Sequence, residues 1–392
     1  MSVLSVVIPT YNMEQWLPVA IESCLAQTAC DIEIIVLNDG STDRSGDIAE
    51  RYAREEGRVR HLFQSNAGLG AARQAGQRAA GGDFITWLDA DDALAPEAAR
   101  VMLDVAVRDN VPLVCGNATV FSDKTFNTRR YFPHAAASHL NFAGAPAYWK
   151  SKVVWRWIFS LPFLQTGRDG APFPHPHFKL GQDVCFMYDV LTRAEAFSQC
   201  AANVYFFRQE HKSISSSPEV WVEHELAQFA AAREILLAPR HEGRFIKPLI
   251  KYLNENYWRD IKRAAPMLLT PDGAPRSTAA ACLAQRVEEL GLALFSGLDP
   301  AWFSQDFLAP ELRAEPGLLP FAQAFMAGDR ATARRIFAEL ARLSPRDIDK
   351  TSLFHTARRR FKALCSPRSR EARRVIRYLE ARARQRLGAI WR

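Results

Sequence analysis

The sequence lacks long apolar runs and any regular cysteine pattern. No 18 consecutive residues are apolar, and the first apolar stretch, 3–8, ends at Pro9 with no basic residues before it. A membrane-spanning helix needs about 20 mostly apolar residues, and a secretory signal opens with a basic segment. The seven cysteines include no C-x-x-C pair, which argues against a disulfide framework or a zinc site. We therefore expect a cytoplasmic protein whose thiols are reduced and mostly buried.

Basic residues are concentrated at the end of the chain. The formal net charge is +7, but residues 351–392 alone sum to +11 and residues 1–350 to about −4. Within this basic segment, 371–387 has a helical pattern with an apolar stripe formed by Val375, Ile376, Leu379, Ala383 and Leu387. Six arginines lie off the stripe: Arg373, Arg374, Arg377, Arg382, Arg384 and Arg386.

A basic amphipathic helix of this kind has two main interpretations. It can lie on an anionic bilayer surface, where each basic residue contributes about 1 kcal/mol of attraction. It can also pack on its own domain and leave a solvated basic face. RNA binding is disfavoured because the tail has no recognisable nucleic-acid-binding module. We therefore predict an anionic membrane surface as a partner through 371–392, with packing as the alternative, and no nucleic-acid partner.

Short β-branched runs alternate with helical stretches over the first 117 residues. The predicted strands are 4–8, 32–38, 59–64, 83–88 and 113–116, and the predicted helices are 14–27, 43–56, 68–80 and 96–109. This alternation predicts an α/β fold, a mostly parallel sheet with helices on both faces. Ligands of such sheets bind beyond the carboxyl ends of the strands, so the loops after the strands are the candidate sites.

The chain is long enough to form two domains. Single cores stop growing at roughly 250–300 residues, and the strand–helix alternation ends long before residue 392. After a further predicted strand at 204–208, the pattern is mainly helical, including a pair of helices at 320–343 that is broken at Gly328. We therefore predict one domain over 1–218 and a helical domain over 219–392, which ends in the basic helix.

Three carboxylates follow the fourth predicted strand, at Asp89, Asp91 and Asp92. So much negative charge repels itself unless a cation is near. Mg²⁺ binds through one or two carboxylates together with substrate phosphates, so the loop favours Mg²⁺ or Mn²⁺ bound to a diphosphate. An acidic turn that caps the helix beginning near Pro96 would have the same composition.

Two further loops at strand ends contain small and polar residues. The segment 38–43 ends a strand in a glycine turn, which leaves Asp39 able to accept hydrogen bonds from a ligand. The segment 66–70 opens a helix that bears Arg73, so that free amides and one cation could bind a phosphate. Each loop, taken alone, is equally consistent with an ordinary strand-to-helix connection.

Six motifs within the first 216 residues occur in a characteristic order and spacing. They are SVVIPTYN at 5–12, NDGSTD at 38–43, N-x-G with A-R-x-x-G at 66–76, LDADD at 88–92, GQD-x-x-F at 181–186 and YFFR-x-x-H-x-SIS at 205–215. Together they resemble the inverting family 2 glycosyltransferases with the GT-A fold. The resemblance implies a nucleotide-diphosphate sugar as donor, usually UDP-linked, and a divalent cation, Mn²⁺ or Mg²⁺, as cofactor.

The resemblance also implies roles for individual residues. Asp39 would recognise the base, Asp89 would hold the ribose, and Asp91 would bind the metal. His211 matches a position that contacts the metal or the diphosphate in some relatives, although a surface histidine in a linker is an equal alternative. The full set of implied nucleotide-sugar-binding residues is Pro9, Thr10, Tyr11, Asn12, Asp39, Asn66, Gly68, Arg73, Asp89 and Asp91.

The proton acceptor that the resemblance implies is Asp183. A positioned carboxylate can take the proton of an acceptor hydroxyl as it attacks the sugar. The family has a Glu-Asp pair here, whereas this chain has Gln182 before Asp183, so the first acid of the pair is absent. The alternative for Asp183 is a helix N-terminal charge, and Gln74 is a second departure, at a position where relatives often have Asn.

Aromatic residues upstream of Asp183 are candidates for the acceptor site. The candidates are Trp155 and Trp157, together with Gln182, because aromatic faces suit sugar rings and the family binds its acceptor in this region. Aromatic residues at this spacing also fill cores. A metal site at His175 and His177, in a proline-rich loop, is disfavoured.

We therefore predict an inverting glycosyltransferase that transfers a sugar from a UDP-linked donor to a glycan or lipid-linked glycan hydroxyl in cell-surface polysaccharide synthesis. Its expected location is cytoplasmic, on the inner face of the plasma membrane. The alternative is a catalytically inactive nucleotide-sugar-binding scaffold, which the altered Gln182 permits. A nucleotidyltransferase would need a glycine-rich basic loop after the first strand, where this chain has 9–12, PTYN.

Overall fold

The computed structural model describes residues 2–27, 31–121, 128–145, 147–148, 153–167, 170–176, 182–209, 229, 232–246, 249, 258–295, 298, 318–342 and 368–387. The chain divides into two compact units. The first unit comprises residues 1–211 and 364–392, and the second comprises residues 212–363. The chain therefore leaves the first unit and returns to it at its end.

The first unit is built on a ten-stranded mixed sheet. The strands are β1 (Val3–Thr10), β2 (Asp31–Asp39), β3 (Val59–Gln64), β4 (Phe84–Trp87), β5 (Ala93–Leu94), β6 (Leu113–Phe121), β7 (Thr128–Tyr131), β8 (Ala137–Leu140), β9 (Trp157–Ser160) and β10 (Phe197–Arg208). Their order is β3-β2-β1-β4-β9-β6-β10-β5, with β7 beside β6 and β8 beside β10. The pairs among β1, β2, β3 and β4 are parallel, whereas β9 is antiparallel to both β4 and β6.

Helices follow most strands of the parallel part. They are α1 (Leu17–Leu25), α2 (Ser45–Glu55), α3 (Leu69–Ala79), α4 (Ala98–Asp109), α5 (Leu161–Thr166) and α6 (Gln182–Arg193). Strands β1 and β2 are mostly buried and contain the apolar runs 6–9 and 34–37, as expected of parallel strands covered on both faces. The predicted α/β fold is therefore confirmed, and the inserted antiparallel β9 makes the sheet mixed. All five cysteines that the structure describes are free, and four of them are buried.

The second unit is helical where the structure describes it. Its longer helices are α7 (Trp258–Leu268), α8 (Thr278–Phe295), α9 (Leu318–Met326) and α10 (Arg330–Leu340). The predicted helix pair is confirmed: Gly328 has a φ of +70°, and the Asp329 side chain accepts a hydrogen bond of 3.0 Å from Thr332 N–H to cap α10. Among the described residues, no helix is both long and apolar enough to cross a bilayer.

The C-terminal helix, α11 (Arg368–Leu387), belongs to the first unit. It lies against α1 and the β6–β7 hairpin. Its buried side chains are Ala372, Ile376, Leu379, Ala383 and Leu387. The predicted single boundary near 218 therefore differs from the observed division at this helix. The packing alternative for the basic helix describes its apolar stripe correctly, because the stripe is covered by the fold of the first unit.

Candidate active site

The loops at the carboxyl ends of β1 and β2 are tied together by hydrogen bonds. Asn12 has a φ of +54°, and its Oδ1 accepts a hydrogen bond of 2.8 Å from Thr42 N–H. Asn12 N–H donates to Ser41 Oγ at 3.1 Å. Because Asn and Asp tolerate the left-handed conformation better than most residues, an asparagine suits the turn after β1. The bonds fix the rim of the site on this side.

Asp39 holds the loop that follows β3. Its Oδ1 accepts hydrogen bonds from Gln64 Nε2 (2.7 Å) and Ala67 N–H (2.9 Å), and its Oδ2 accepts one from Gly68 N–H (2.9 Å). Gly40 has a φ of +73°, and a Cβ added there would lie 2.7 Å from Asn66 N, so no larger residue fits. Asp39 therefore organises two loops, and its recognition of a base stays a prediction.

The predicted nucleotide-sugar-binding residues around these loops differ in their exposure. Tyr11 is 46% exposed, and Asn12, Asn66 and Gly68 are exposed as well. Thr10 is buried, and its Oγ1 donates to the Ile8 carbonyl at 3.1 Å. Pro9 is also buried. Ligand contact through side chains is thus available at Tyr11 and the two asparagines, while Pro9 and Thr10 shape the strand end beneath them.

The three carboxylates after β4 have different surroundings. Asp92 is buried, and it accepts hydrogen bonds from Tyr205 O–H (2.8 Å) and Arg208 N–H (2.6 Å). Burial, with Asp91 and Asp89 nearby, raises the pKa of Asp92 well above its usual value. Asp92 thus anchors the loop to β10. Sequence reasoning assigned no role to Tyr205, whose hydroxyl also accepts a hydrogen bond of 3.2 Å from Asp89 N–H; the only signal was its place as the first residue of the last motif.

Arg73 joins two carboxylates that are 94 residues apart in the sequence, Asp89 and Asp183. Its Nη2 lies 3.1 Å from Asp89 Oδ1, and its Nη1 forms an ion pair with Asp183 Oδ1. Burial, reinforced by Asp91 and Asp183 and opposed by Arg73, raises the pKa of Asp89 to about 6. The two carboxylates outweigh burial and raise the pKa of Arg73. Arg73 is thus paired with two carboxylates, and its contact with a phosphate stays a prediction.

The predicted acceptor residues are buried. Trp155 stacks on Tyr205 with ring centroids 4.3 Å apart, and Trp157 is fully buried against Phe197 and Phe159. One ring is stacked and the other is fully buried among aromatic rings, so the core interpretation describes both, and stacking on a sugar is not supported for either. Gln182 is buried at the start of α6.

His175 is likewise a core residue. Its ring stacks on Phe186 with centroids 4.2 Å apart, and its Nε2 lies 3.1 Å from Gln77 Oε1. The disfavoured metal site at His175 and His177 gains no support from this packing. His177 and His211 lie outside the described residues.

The metal prediction depends on Asp91. Over the part of the chain that the structure describes, no three His, Cys, Asp or Glu side chains are arranged to hold a metal ion. Asp91 is partly buried beside Asp89, and Arg208 Nε donates to its backbone carbonyl at 2.8 Å. Carboxylate oxygens of this kind fit an ion that takes its other ligands from phosphates and water. Metal dependence itself stays a prediction.

Comparison with known proteins agrees with this architecture. A model of Glycosyl transferase family 2 matches residues 5–182. The uncharacterized glycosyltransferase EpsJ of Bacillus subtilis (strain 168) is 29% identical over 225 residues, which are 55% of this chain and 63% of EpsJ. Glycosyltransferase GlyA of Streptococcus pneumoniae serotype 4 is 34% identical over 120 residues, 31% of this chain and 17% of GlyA. The match spans less than two thirds of either relative.

A solved structure has the same fold. S. aureus TarS 1–349 in complex with UDP-GlcNAc superposes with a TM-score of 0.66 at 17% identity, covering 86% of this chain and 90% of that chain. Residues 5–182, which the family model matches, are therefore similar to glycosyl transferase family 2, and the first unit has the GT-A fold.

Proposed function

We propose that this chain is an inverting glycosyltransferase that uses a UDP-linked sugar. The observation that supports it most is the Arg73 bridge between Asp89 and Asp183. Asp89 belongs to the loop expected to hold the donor, so the bridge brings a second carboxylate from α6 to the donor side of the site. Direct displacement with inversion needs such a carboxylate near the anomeric carbon to take a proton. The UDP-GlcNAc complex of TarS, which shares the fold, supports a UDP-linked donor.

The residues divide the work of transfer in this proposal. The exposed Tyr11, Asn12 and Asn66 line the nucleoside, Asp89 accepts hydrogen bonds from the ribose, and Asp183 receives the proton of the acceptor hydroxyl. Asp91 would hold Mn²⁺ or Mg²⁺, which, when bound, would offset negative charge on the departing diphosphate. The acceptor is a glycan or a lipid-linked glycan, which suits cell-surface polysaccharide synthesis at the cytoplasmic face of a membrane.

Donor binding tests the proposal without knowledge of the acceptor. We expect UDP to stabilise the protein against thermal unfolding only weakly by itself and more strongly with Mn²⁺. A ligand at 100 times its Kd adds about 2.7 kcal/mol to the free energy of unfolding. Asp91→Asn should lose the Mn²⁺-dependent part, whereas Asp104→Asn, at an exposed carboxylate on α4, should retain it. Equal stabilisation of the Asp91 variant and wild type would remove Asp91 as the metal ligand.

The scaffold alternative remains open because Gln182 replaces an acid. A scaffold would bind UDP-sugars and never transfer the sugar. A screen of UDP-sugars against glycan and lipid-linked acceptors separates the two: transfer of any sugar supports the enzyme, and tight donor binding without turnover on any acceptor supports the scaffold.

The apolar stripe of α11 is covered by the first unit, so the membrane proposal can no longer rely on that stripe for bilayer contact. Any bilayer contact must use the outward face, where Arg374, Arg377 and Arg384 are exposed beside Tyr378. Reversing these three charges to Glu should weaken binding to phosphatidylglycerol vesicles at low salt by at least 10²-fold, since each basic residue near the surface contributes about 1 kcal/mol. Vesicle sedimentation measures this.

The control for this experiment alters charge equally elsewhere. Arg54, Arg330 and Arg335 are exposed arginines on other helices, and their reversal to Glu produces the same net charge. Retained vesicle binding by this control, with loss in the α11 variant, supports a membrane surface on α11. Equal loss in both variants would indicate nonspecific attraction and contradict the proposal.

A further inference from the structure

The guanidinium of Arg73 is sealed inside the protein. Arg73 is only 2% exposed, and its Nε is buried with no hydrogen-bond acceptor among the residues described. Its Nη1 and Nη2 are taken up by Asp183 and Asp89. A diphosphate therefore cannot reach this guanidinium without displacing a carboxylate. The two carboxylates, which are each about a quarter exposed, are the groups that face the site.

We infer that Arg73 is a positioning residue that fixes Asp183 relative to the donor-binding loop. This inference rests on the proposed function, because it needs Asp183 to act as the proton acceptor. Arginine presents its donors in a rigid planar fork, so one guanidinium can hold two carboxylates at a set separation. Asp89 belongs to the strand-end loop after β4, and Asp183 belongs to the first turn of α6. Arg73 thus sets the distance between the donor-binding loop and the carboxylate of Asp183.

The rest of α3 holds the segment that leads to α6. Gln74 Oε1 accepts a hydrogen bond of 2.7 Å from His175 N–H, and Gln77 Nε2 donates to the Phe173 carbonyl at 3.2 Å. A Cβ on Gly70 would lie 2.2 Å from the Pro176 carbonyl oxygen, so α3 and this segment are in close contact. The departure at Gln74 therefore has a structural use, because its amide reaches the backbone of the segment.

Charge explains why the bridging residue must be an arginine. Asp89 and Asp183 are two partly buried carboxylates with Asp91 close by, and they would repel each other without a cation between them. A lysine ammonium carries the same charge on a single nitrogen and lacks the planar set of donors that a guanidinium has. An ammonium at this place would hold one carboxylate well and leave the other to move.

The first test measures turnover and donor binding separately. Arg73→Gln should lower kcat by about 10²-fold, the loss expected when a reacting group is misplaced by about 1 Å. Arg73→Lys should lie between Arg73→Gln and wild type. The Kd for UDP with Mn²⁺ should change much less than kcat in both, because Arg73 itself does not contact the donor. Arg78→Gln, at an exposed arginine on the same helix, is the matched control and should leave kcat unchanged.

A double-mutant cycle tests whether Arg73 acts through Asp183. When two residues act as a unit, removing the second causes little further loss of activity once the first has been removed. We therefore expect Arg73→Gln to cause little further loss of kcat in the Asp183→Asn background. If the two losses multiply, Arg73 acts independently and the inference is wrong. A large rise in the Kd for UDP with unchanged kcat would instead assign Arg73 to donor binding and also overturn it.

Misfolding of a variant must be distinguished from a loss of its activity. The unfolding midpoint of each variant is measured first, and Arg73→Lys, which keeps the charge, serves if Arg73→Gln is unstable. Wild type without transfer activity on any donor and acceptor would be a failure of the proposed function. Active wild type whose Arg73 variants match it in kcat would be a failure of this inference alone.

Discussion

Asp183→Asn is expected to reduce sugar transfer by about 10²–10⁴-fold, the usual contribution of a positioned general base. The amide has nearly the shape of the carboxylate and can still accept a hydrogen bond from Arg73, so the site should keep its geometry. What it loses is a group that can take the proton of the acceptor hydroxyl. Donor affinity should therefore remain close to that of wild type, and the loss should appear in kcat.

Two measurements make this result specific. Initial rates of sugar transfer give kcat, and calorimetry with UDP and Mn²⁺ gives the donor Kd of the same preparation. Asp189→Asn is the matched control, since Asp189 lies on the same helix and pairs with Arg193 at 3.2 Å, away from Arg73. Full turnover by Asp183→Asn would exclude Asp183 as the base. A comparable loss in the control would attribute the effect to α6 and not to the carboxylate.

The parallel part of the fold was predictable because its signals are local. The strand predicted at 59–64 is β3 as observed, and the helix predicted at 68–80 is α3 within one residue at each end. Periodicity and strand-end glycines specify such elements within a short window. Strand β9 has four residues and pairs antiparallel with β4 and β6. Its partners are remote in sequence, so no local pattern indicates where it inserts.

The residues of the candidate site likewise fall into those with a local sequence signal and those brought together only by the fold. Asp39 is the last residue of β2 and Asp91 lies in the loop after β4, and sequence alone can locate both strand ends. The contact of Arg73 with Asp183 joins positions 110 residues apart, and only the fold brings them together. Trp155 shows the converse, because an aromatic residue near a site has the same sequence pattern whether it binds a sugar or packs on Tyr205.

For the C-terminal helix, the sequence pattern identified the apolar face but not the residues that the helix contacts. Its apolar stripe was evident, and two of its arginines bind an acid over 350 residues away. Arg382 Nε lies 2.8 Å from Glu22 Oε2, and Arg386 Nε lies 3.0 Å from Glu22 Oε1. Tyr52 O–H donates to the same Oε1 at 3.2 Å. Glu22 is fully buried, so this acid depends on the helix for its countercharges.

The variant with both Arg382→Gln and Arg386→Gln is therefore expected to lower the free energy of unfolding of the first unit by about 3–5 kcal/mol. Removing the partners of a buried ion leaves an uncompensated charge, which costs about this much. Urea unfolding followed by tryptophan fluorescence measures the change. The variant Arg374→Gln with Arg384→Gln, two exposed arginines of the same helix, should change stability by no more than about 0.5 kcal/mol, as surface substitutions do.

A third substitution separates the buried charge from the packing of the helix. Adding Glu22→Gln to the destabilised variant removes the unpaired charge and should restore most of the lost stability, since a neutral amide can remain buried with Tyr52 as a partner. If the loss came instead from poorer packing of α11, Glu22→Gln would restore nothing. Restored stability would mean that the helix supplies countercharges for Glu22 in addition to burying apolar surface of the first unit. A chain shortened before residue 368 would then lack both contributions.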